Sequence, residues 1–188
     1  MSAIFFCSDL HFFHSKVVEY CNRPWTAEEQ TEELIRRWNS RVSNEDVVYS
    51  LGDFAFAKDS QYGKVVDIIE QLNGTITFIK GNHCQKRLWD KINSLNLPNV
   101  KRICDYQEVT IDKTKICMSH FPMVIWNRAQ YGSWHLFGHV HGSYEGKGKS
   151  LDCGIDNHPD YQLFSYEEVR DYMKDRVFEQ VSHHKGDL

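Results

Sequence analysis

Five short apolar runs, each emptying directly into a cluster of Asp, Asn, Gly or His, constrain this chain more than any other feature. Ala3 to Cys7 leads into Ser8-Asp9-Leu10-His11, and Val47 to Leu51 into Gly52-Asp53. Ile76 to Ile79 leads into Lys80-Gly81-Asn82-His83, Ile116 to Met118 into Ser119-His120, and Leu136-Phe137 into Gly138-His139-Val140-His141. The runs are too short for helices and rich in Ile, Val and Phe, the signature of strands buried on both faces. Helical patterns lie between them. Thr26 to Glu29 reads as a capping box ahead of a stripe of Ala27, Leu34, Ile35, Trp38 and Val42. Val65, Val66, Ile69 and Leu72 form a second stripe, stopped by Asn73-Gly74. Lys86 to Leu95 is a third candidate, and Ser165 to Glu168 is another capping box with an apolar stripe behind it.

Strands alternating with helices predict an α/β fold with parallel pairing in the first half. From Ile103 to Met118 the pattern turns hairpin-like around Asp112-Lys113, so the second half is expected to be mixed or antiparallel. The chain's 188 residues suit a single domain, expected over residues 1–181, with 182–188 as a frayed tail. The 22 Lys and Arg against 26 Asp and Glu leave a net charge of −4, which argues against a protein built mainly to grip nucleic acid or an anionic membrane. No run reaches the roughly 18 apolar residues of a membrane span, and the N-terminus lacks a signal peptide's basic region. The six cysteines are scattered without a C-x-x-C pair, so they read as small buried hydrophobes of a cytoplasmic protein.

In an open α/β sheet, loops beyond the strands' carboxyl ends converge on one crevice. Asp9, His11, Asp53, Asn82, His83, His120, His139 and His141 are therefore expected to meet. Carboxylate, amide oxygen and imidazole nitrogen together suit Mn²⁺, Fe, Zn²⁺ or Ni²⁺. An extended D-x-H segment would point Asp9 and His11 to one side, and His139 and His141 would repeat that geometry. The glycines before Asp53, Asn82 and His139 read as turn residues that aim a ligand back into the crevice.

In this order, D-x-H, G-D, G-N-H, an isolated His after a strand, and G-H-x-H resemble the calcineurin-like metallophosphoesterase superfamily. Ser8 to His14, Arg23-Pro24-Trp25, Leu51 to Phe54 and Leu72-Asn73-Gly74 resemble its small bacterial and phage-encoded members. The resemblance implies a four-layer α/β/β/α sandwich and a centre of two divalent cations, Mn²⁺ foremost. Asp9, His11 and His141 would hold one cation, and Asn82, His120 and His139 the other. Asp53 would bridge them, with His83 beside them as the catalytic acid. The implied activity is hydrolysis of a phosphodiester or phosphomonoester by metal-bound hydroxide, on a nucleotide or other small phosphoester. A DNA or RNA nuclease, or a non-catalytic metal-binding scaffold of the same fold, are the alternatives. A protein phosphatase is disfavoured, because Phe54-Ala55-Phe56-Ala57 stands where an Asp-Arg pair would follow Gly52-Asp53.

His14 and Arg128 are the candidates for touching substrate. Arg128 lies in a segment with Trp126, Tyr131 and Trp134, which suits a nucleobase and phosphate but equally a small hydrophobic cluster. His135 reads as structural. One residue departs from the family's pattern: Cys84 stands where an acid commonly follows G-N-H. That would leave His83 without its supporting carboxylate, unless another acid such as Asp156 replaces it.

Overall fold

The computed structural model describes residues 2–178, so the expected boundary at 181 and the tail 182–188 lie outside the described residues. Two mixed sheets stack face to face. The first holds β1 (Ile4–Cys7), β2 (Val47–Ser50), β3 (Thr75–Ile79), β4 (Val100–Cys104) and β9 (Phe164–Ser165), in the order β4-β3-β2-β1-β9. Its first four strands are parallel, and β9 closes the edge antiparallel to β1. The second sheet runs β5 (Tyr106–Ile111), β6 (Thr114–Ser119), β7 (Trp134–Phe137) and β8 (Ser150–Asp152). There β5 and β6 form the expected hairpin, turned by Asp112 and Lys113 at φ 47° and 67°, while β6, β7 and β8 are parallel. Ile103 and Cys104 do not join the hairpin; they pair in β4 with Phe78 and Ile79 of the other sheet. An apolar run cannot reveal which sheet will take it.

The inner strands β1, β2 and β3 are largely apolar because each face meets a different layer. Phe5, Cys7, Val48, Ile76 and Phe78 face the helices, while Phe6, Leu51 and Ile79 meet Ile116, Met118, Leu136 and Leu151 of the second sheet. The helical layer comprises α1 (Ser15–Tyr20), α2 (Gln30–Arg41), α3 (Tyr62–Gln71) and α4 (Lys86–Leu95). In the Thr26 capping box the Thr26 N–H donates to Glu29 at 2.8 Å, but the box closes a turn before the regular helix starts at Gln30. Beyond α3, Asn73 pins the turn onto α2 by accepting from Trp38 Nε1 at 2.9 Å and donating to Val42 O at 3.0 Å. Helix α5 (Tyr166–Lys174), capped by Ser165 as expected, packs Tyr166, Val169 and Met173 into the core between the sheets. Among the described residues the outer face of the second sheet carries Trp126 and Ala129, with Met123 and Phe178 packed against them, beside a single turn of 3₁₀ helix. Among the described residues no helix is long and apolar enough to cross a membrane.

Strand register sets up the crevice. Cys7, Ser50 and Phe78 are aligned neighbours in the first sheet, as are Met118, Leu136 and Leu151 in the second. The loops that follow them therefore emerge together, as the rule for open α/β sheets requires.

Candidate metal centre

The Asp9 and His11 loop is laid on the Asp53 loop by backbone bonds, Asp9 N–H to Gly52 O at 3.1 Å and His11 N–H to Asp53 O at 2.9 Å. The second sheet is tied in by side chains. His120 Nδ1 lies 2.9 Å from Leu51 O, and Asp9 Oδ2 accepts from the His139 N–H at 2.9 Å. Six of the seven ligand candidates then fall into two groups, Asp9 with His11 and His141, and Asp53 with His120 and His139, with donor atoms within 4.8 Å of one another. The seventh, Asn82, has Oδ1 3.1 Å from His120 Nε2. Asp53 Oδ2 lies between the groups, 3.2 Å from His120 Nε2 and 3.8 Å from His11 Nε2.

The extended D-x-H geometry expected from the sequence is not what assembles these groups. Asp9, His11, Asp53, His139 and His141 all have left-handed backbones, with φ of 59°, 53°, 47°, 75° and 46°. Each costs roughly 1 kcal/mol or more, a strain that survives only where surrounding structure imposes it. Asp9 and His11 still reach the same group, but His139 and His141 are sent to different ones. The motif glycines are also needed for a different reason than turning. Only Gly52 has a positive φ, 109°. At Gly81 a Cβ would overlap the Asp53 carboxylate, and at Gly138 it would come within 2.6 Å of Asp9 Oδ2.

The donor set suits a cation. Asp9 Oδ1 is buried without a hydrogen-bond partner, 3.7 Å from His11 Nε2 and 3.8 Å from His141 Nε2. These two imidazole nitrogens face each other at 3.3 Å. A buried carboxylate oxygen aimed at two imidazole nitrogens is costly unless something positive, a proton or a cation, joins them. Burial correspondingly raises the Asp9 pKa to about 6, although His141 and His120 oppose it. Burial likewise pushes His11 below the usual histidine range. At Asp53 burial works the other way from the outcome, because the His120 ring, the His83 N–H and His11 together hold its pKa down. Burial also opposes charge on His141, but Asp156, Cys21 and Asp9 outweigh it and raise its pKa to about 10.

His83 stands beside the cluster with its ring partly exposed, Nε2 3.9 Å from Asp53 Oδ2, and its N–H donates to Asp53 Oδ1 at 2.9 Å. His14 also faces the crevice, its ring centroid 5.5 Å from that of His11 and 6.2 Å from that of His83. Its Nδ1 caps α1 by accepting from the Val17 N–H, which leaves Nε2 to carry the proton.

Arg128 lies elsewhere. It borders a depression with Thr110, Lys113 and Thr114, at the end of β6 opposite His120, with its guanidinium over Tyr131 at 5.4 Å. Its aromatic neighbours are committed to packing: Trp126 against His135 at 5.3 Å, and Trp134 against Tyr166 at 5.8 Å. His135 is structural as expected; Nε2 accepts from the Met123 N–H, so Nδ1–H donates to Cys117 O. Cys84 is buried, its thiol donating to Ala55 O at 3.1 Å and accepting from Ala55 N–H at 3.2 Å. Burial pushes that thiol up to about 12, so it is a neutral brace between two loops. Nor does Asp156 support His83. Its Oδ2 lies 2.8 Å from His141 Nδ1, and buried Arg23 holds it from the other side. Arg23 stood out in the sequence only within Arg23-Pro24-Trp25, where nothing marks it as a partner of a residue 133 positions away.

Two exposed phenyl rings went unrecognised as site residues in the sequence. Phe56 lies 4.8 Å from the His14 ring and 5.3 Å from that of His83; Phe121 lies 4.6 Å from His139 and 5.0 Å from His120.

A model of the calcineurin-like phosphoesterase family matches residues 2–175. An uncharacterised protein of Methanocaldococcus jannaschii is 32% identical over 145 residues, covering 77% of this chain and 72% of that protein. The gene 66 protein of Mycobacterium phage D29 is 27% identical, over 93% of this chain and 98% of its own. Among solved structures, a protein of unknown function from Aquifex aeolicus superposes with a TM-score of 0.71 at 19% identity, over 92% of this chain and 100% of that one. With the donors assembled on this fold and the family model spanning nearly all of it, the chain belongs to the calcineurin-like phosphoesterases.

Proposed function

We propose that the chain is a metal-dependent phosphohydrolase acting on a nucleotide or other small phosphoester. The observation that carries this is the pair of donor groups joined through Asp53, with Asp9, His11, Asp53 and His120 buried, His141 and His139 open to the crevice, and Asp9 Oδ1 unpartnered inside it. Asp9, His11 and His141 would hold one divalent cation, Asn82, His120 and His139 a second, and Asp53 would serve both. Mn²⁺ is the cation we favour for this mixture of carboxylate, amide and imidazole donors. Bound there, two cations would draw a nucleophile from water at neutral pH and hold the phosphoryl oxygens.

The chain's own residues supply the rest. Water's oxygen forms the new bond to phosphorus, the bond to the ester oxygen breaks, and His83 gives that departing oxygen its proton. His14, with its proton confined to Nε2, donates to a phosphoryl or ester oxygen. Ser8 and Cys84 are not set up to attack instead: the buried Ser8 Oγ donates to Leu51 O, and burial holds Cys84 neutral. Phe56 and Phe121 flank the donors as apolar walls suited to a flat base. A long nucleic acid is less well served by a chain whose net charge is −4.

The test is a chromogenic phosphodiester offered to chelator-stripped protein and then to the same protein with Mn²⁺. Activity should appear only with metal, and Asp53→Asn should remove most of it while the circular dichroism spectrum persists. Full activity in chelator, or in Asp53→Asn, would overturn the two-cation reading.

A further inference from the structure

The guanidinium of Arg23 is fully buried, an expensive place for a charge unless every N–H is met. Every one is. Nε donates to Asp156 Oδ1 at 2.8 Å, and Nη2 donates to Asp156 Oδ2 at 3.1 Å and Asp9 O at 2.7 Å. Nη1 donates to Leu10 O at 2.9 Å and reaches Gln30 Oε1 at 3.4 Å. Gln30 in turn donates to His11 O at 2.8 Å. The left-handed turn carrying Asp9 and His11 is thereby gripped through three consecutive carbonyls. On the far side of the same ion pair, Asp156 Oδ2 lies 2.8 Å from His141 Nδ1. The Cys21 thiol is 3.3 Å from that nitrogen, so the nearer, charged acceptor takes its proton.

We propose that Asp156, clamped by Arg23, is a positioning residue for the cation position formed by Asp9, His11 and His141. It fixes His141 as the Nδ1–H tautomer with Nε2 bare toward Asp9, and it ties two loops separated by 130 residues into one preformed site. The proposal rests on the metal-centre reading above. A carboxylate behind a ligating imidazole orients the ring and strengthens it as a donor, and losing such a partner typically costs 10–100-fold in metal affinity.

The experiment is calorimetric titration of chelator-stripped full-length chain with Zn²⁺, comparing wild type, Asp156→Asn and His135→Gln. An amide keeps the shape but has a single oxygen, which cannot serve both Arg23 and His141. Asp156→Asn should weaken the Zn²⁺ affinity 10–100-fold, while His135→Gln, buried away from the cluster, should leave it unchanged. Nitrogen-edited histidine spectra of the Zn²⁺-loaded wild type should show a downfield Nδ1–H proton at His141, a signature that remains available if Asp156→Asn fails to fold. Equal affinities in wild type and Asp156→Asn would overturn the proposal, as would a His141 lacking that proton. A wild type that binds no cation would overturn the metal centre itself.

Discussion

Replacing Cys84 by Asp separates two accounts of the G-N-H loop. If His83 lacked a carboxylate, supplying one should speed the enzyme; the packing predicts damage instead. The thiol is 7% exposed and spends its donor on Ala55 O and its acceptor on Ala55 N–H. An ionised carboxylate can accept from Ala55 N–H but meets the Ala55 carbonyl with a lone pair. An unmatched buried acceptor costs about 1–3 kcal/mol, and more when charged. For a domain of this size each kcal/mol moves the melting temperature by about 2–4 °C, so a fall of roughly 2–12 °C is expected at pH 8. The pH dependence has a definite sign. Burial raises the new carboxyl's folded pKa above its unfolded value, so stability is lost as pH rises toward the folded pKa. Below it the neutral acid can donate to Ala55 O as the thiol does, and the deficit should shrink at pH 5. Thermal melts of wild type, Cys84→Asp and Cys84→Ser at pH 5 and pH 8 measure this, with serine, which keeps donor and acceptor, losing least. A Cys84→Asp protein as stable as wild type at pH 8, and faster on substrates with poor leaving groups, would refute the reasoning.

His83→Ala should slow alkyl phosphodiesters roughly 10²–10⁴-fold while sparing nitrophenyl esters, whose leaving groups need no proton; equal losses on both would assign His83 to binding or orientation. His135, fully buried, has its pKa lowered to about 4 chiefly by burial, opposed by its bond to Cys117. Its contribution is therefore present above its unfolded pKa near 6.5 and is lost as pH falls toward 4, an effect of up to about 3 kcal/mol. Urea unfolding across that range should give a shallower pH slope for His135→Gln than for wild type, and identical slopes would show that this histidine does not stay neutral in the fold.

The strands and the polar clusters beyond them were legible because both are local. A both-sides-buried strand must be apolar along its length, and it ends where Ser8-Asp9, Gly52-Asp53 or Gly138-His139 begins. Donor chemistry was legible too, since residue type alone says what Asp9, Asn82 or His120 can offer a cation. Geometry was not. The left-handed backbones of Asp9 and His11 come with bonds to the Asp53 loop, and nothing in D-x-H distinguishes them from extended chain. The same holds for Arg23 and Asp156, where burial converts two ordinary charged residues into a clamp. Arg128 and Cys84 show the converse. Arg128 lies between two motifs and Cys84 directly after one, yet packing turns the first to the opposite end of the sheet and the second onto Ala55. Local pattern is set by which face of an element meets water; the aim of a side chain is set by what packs against it from elsewhere in the chain.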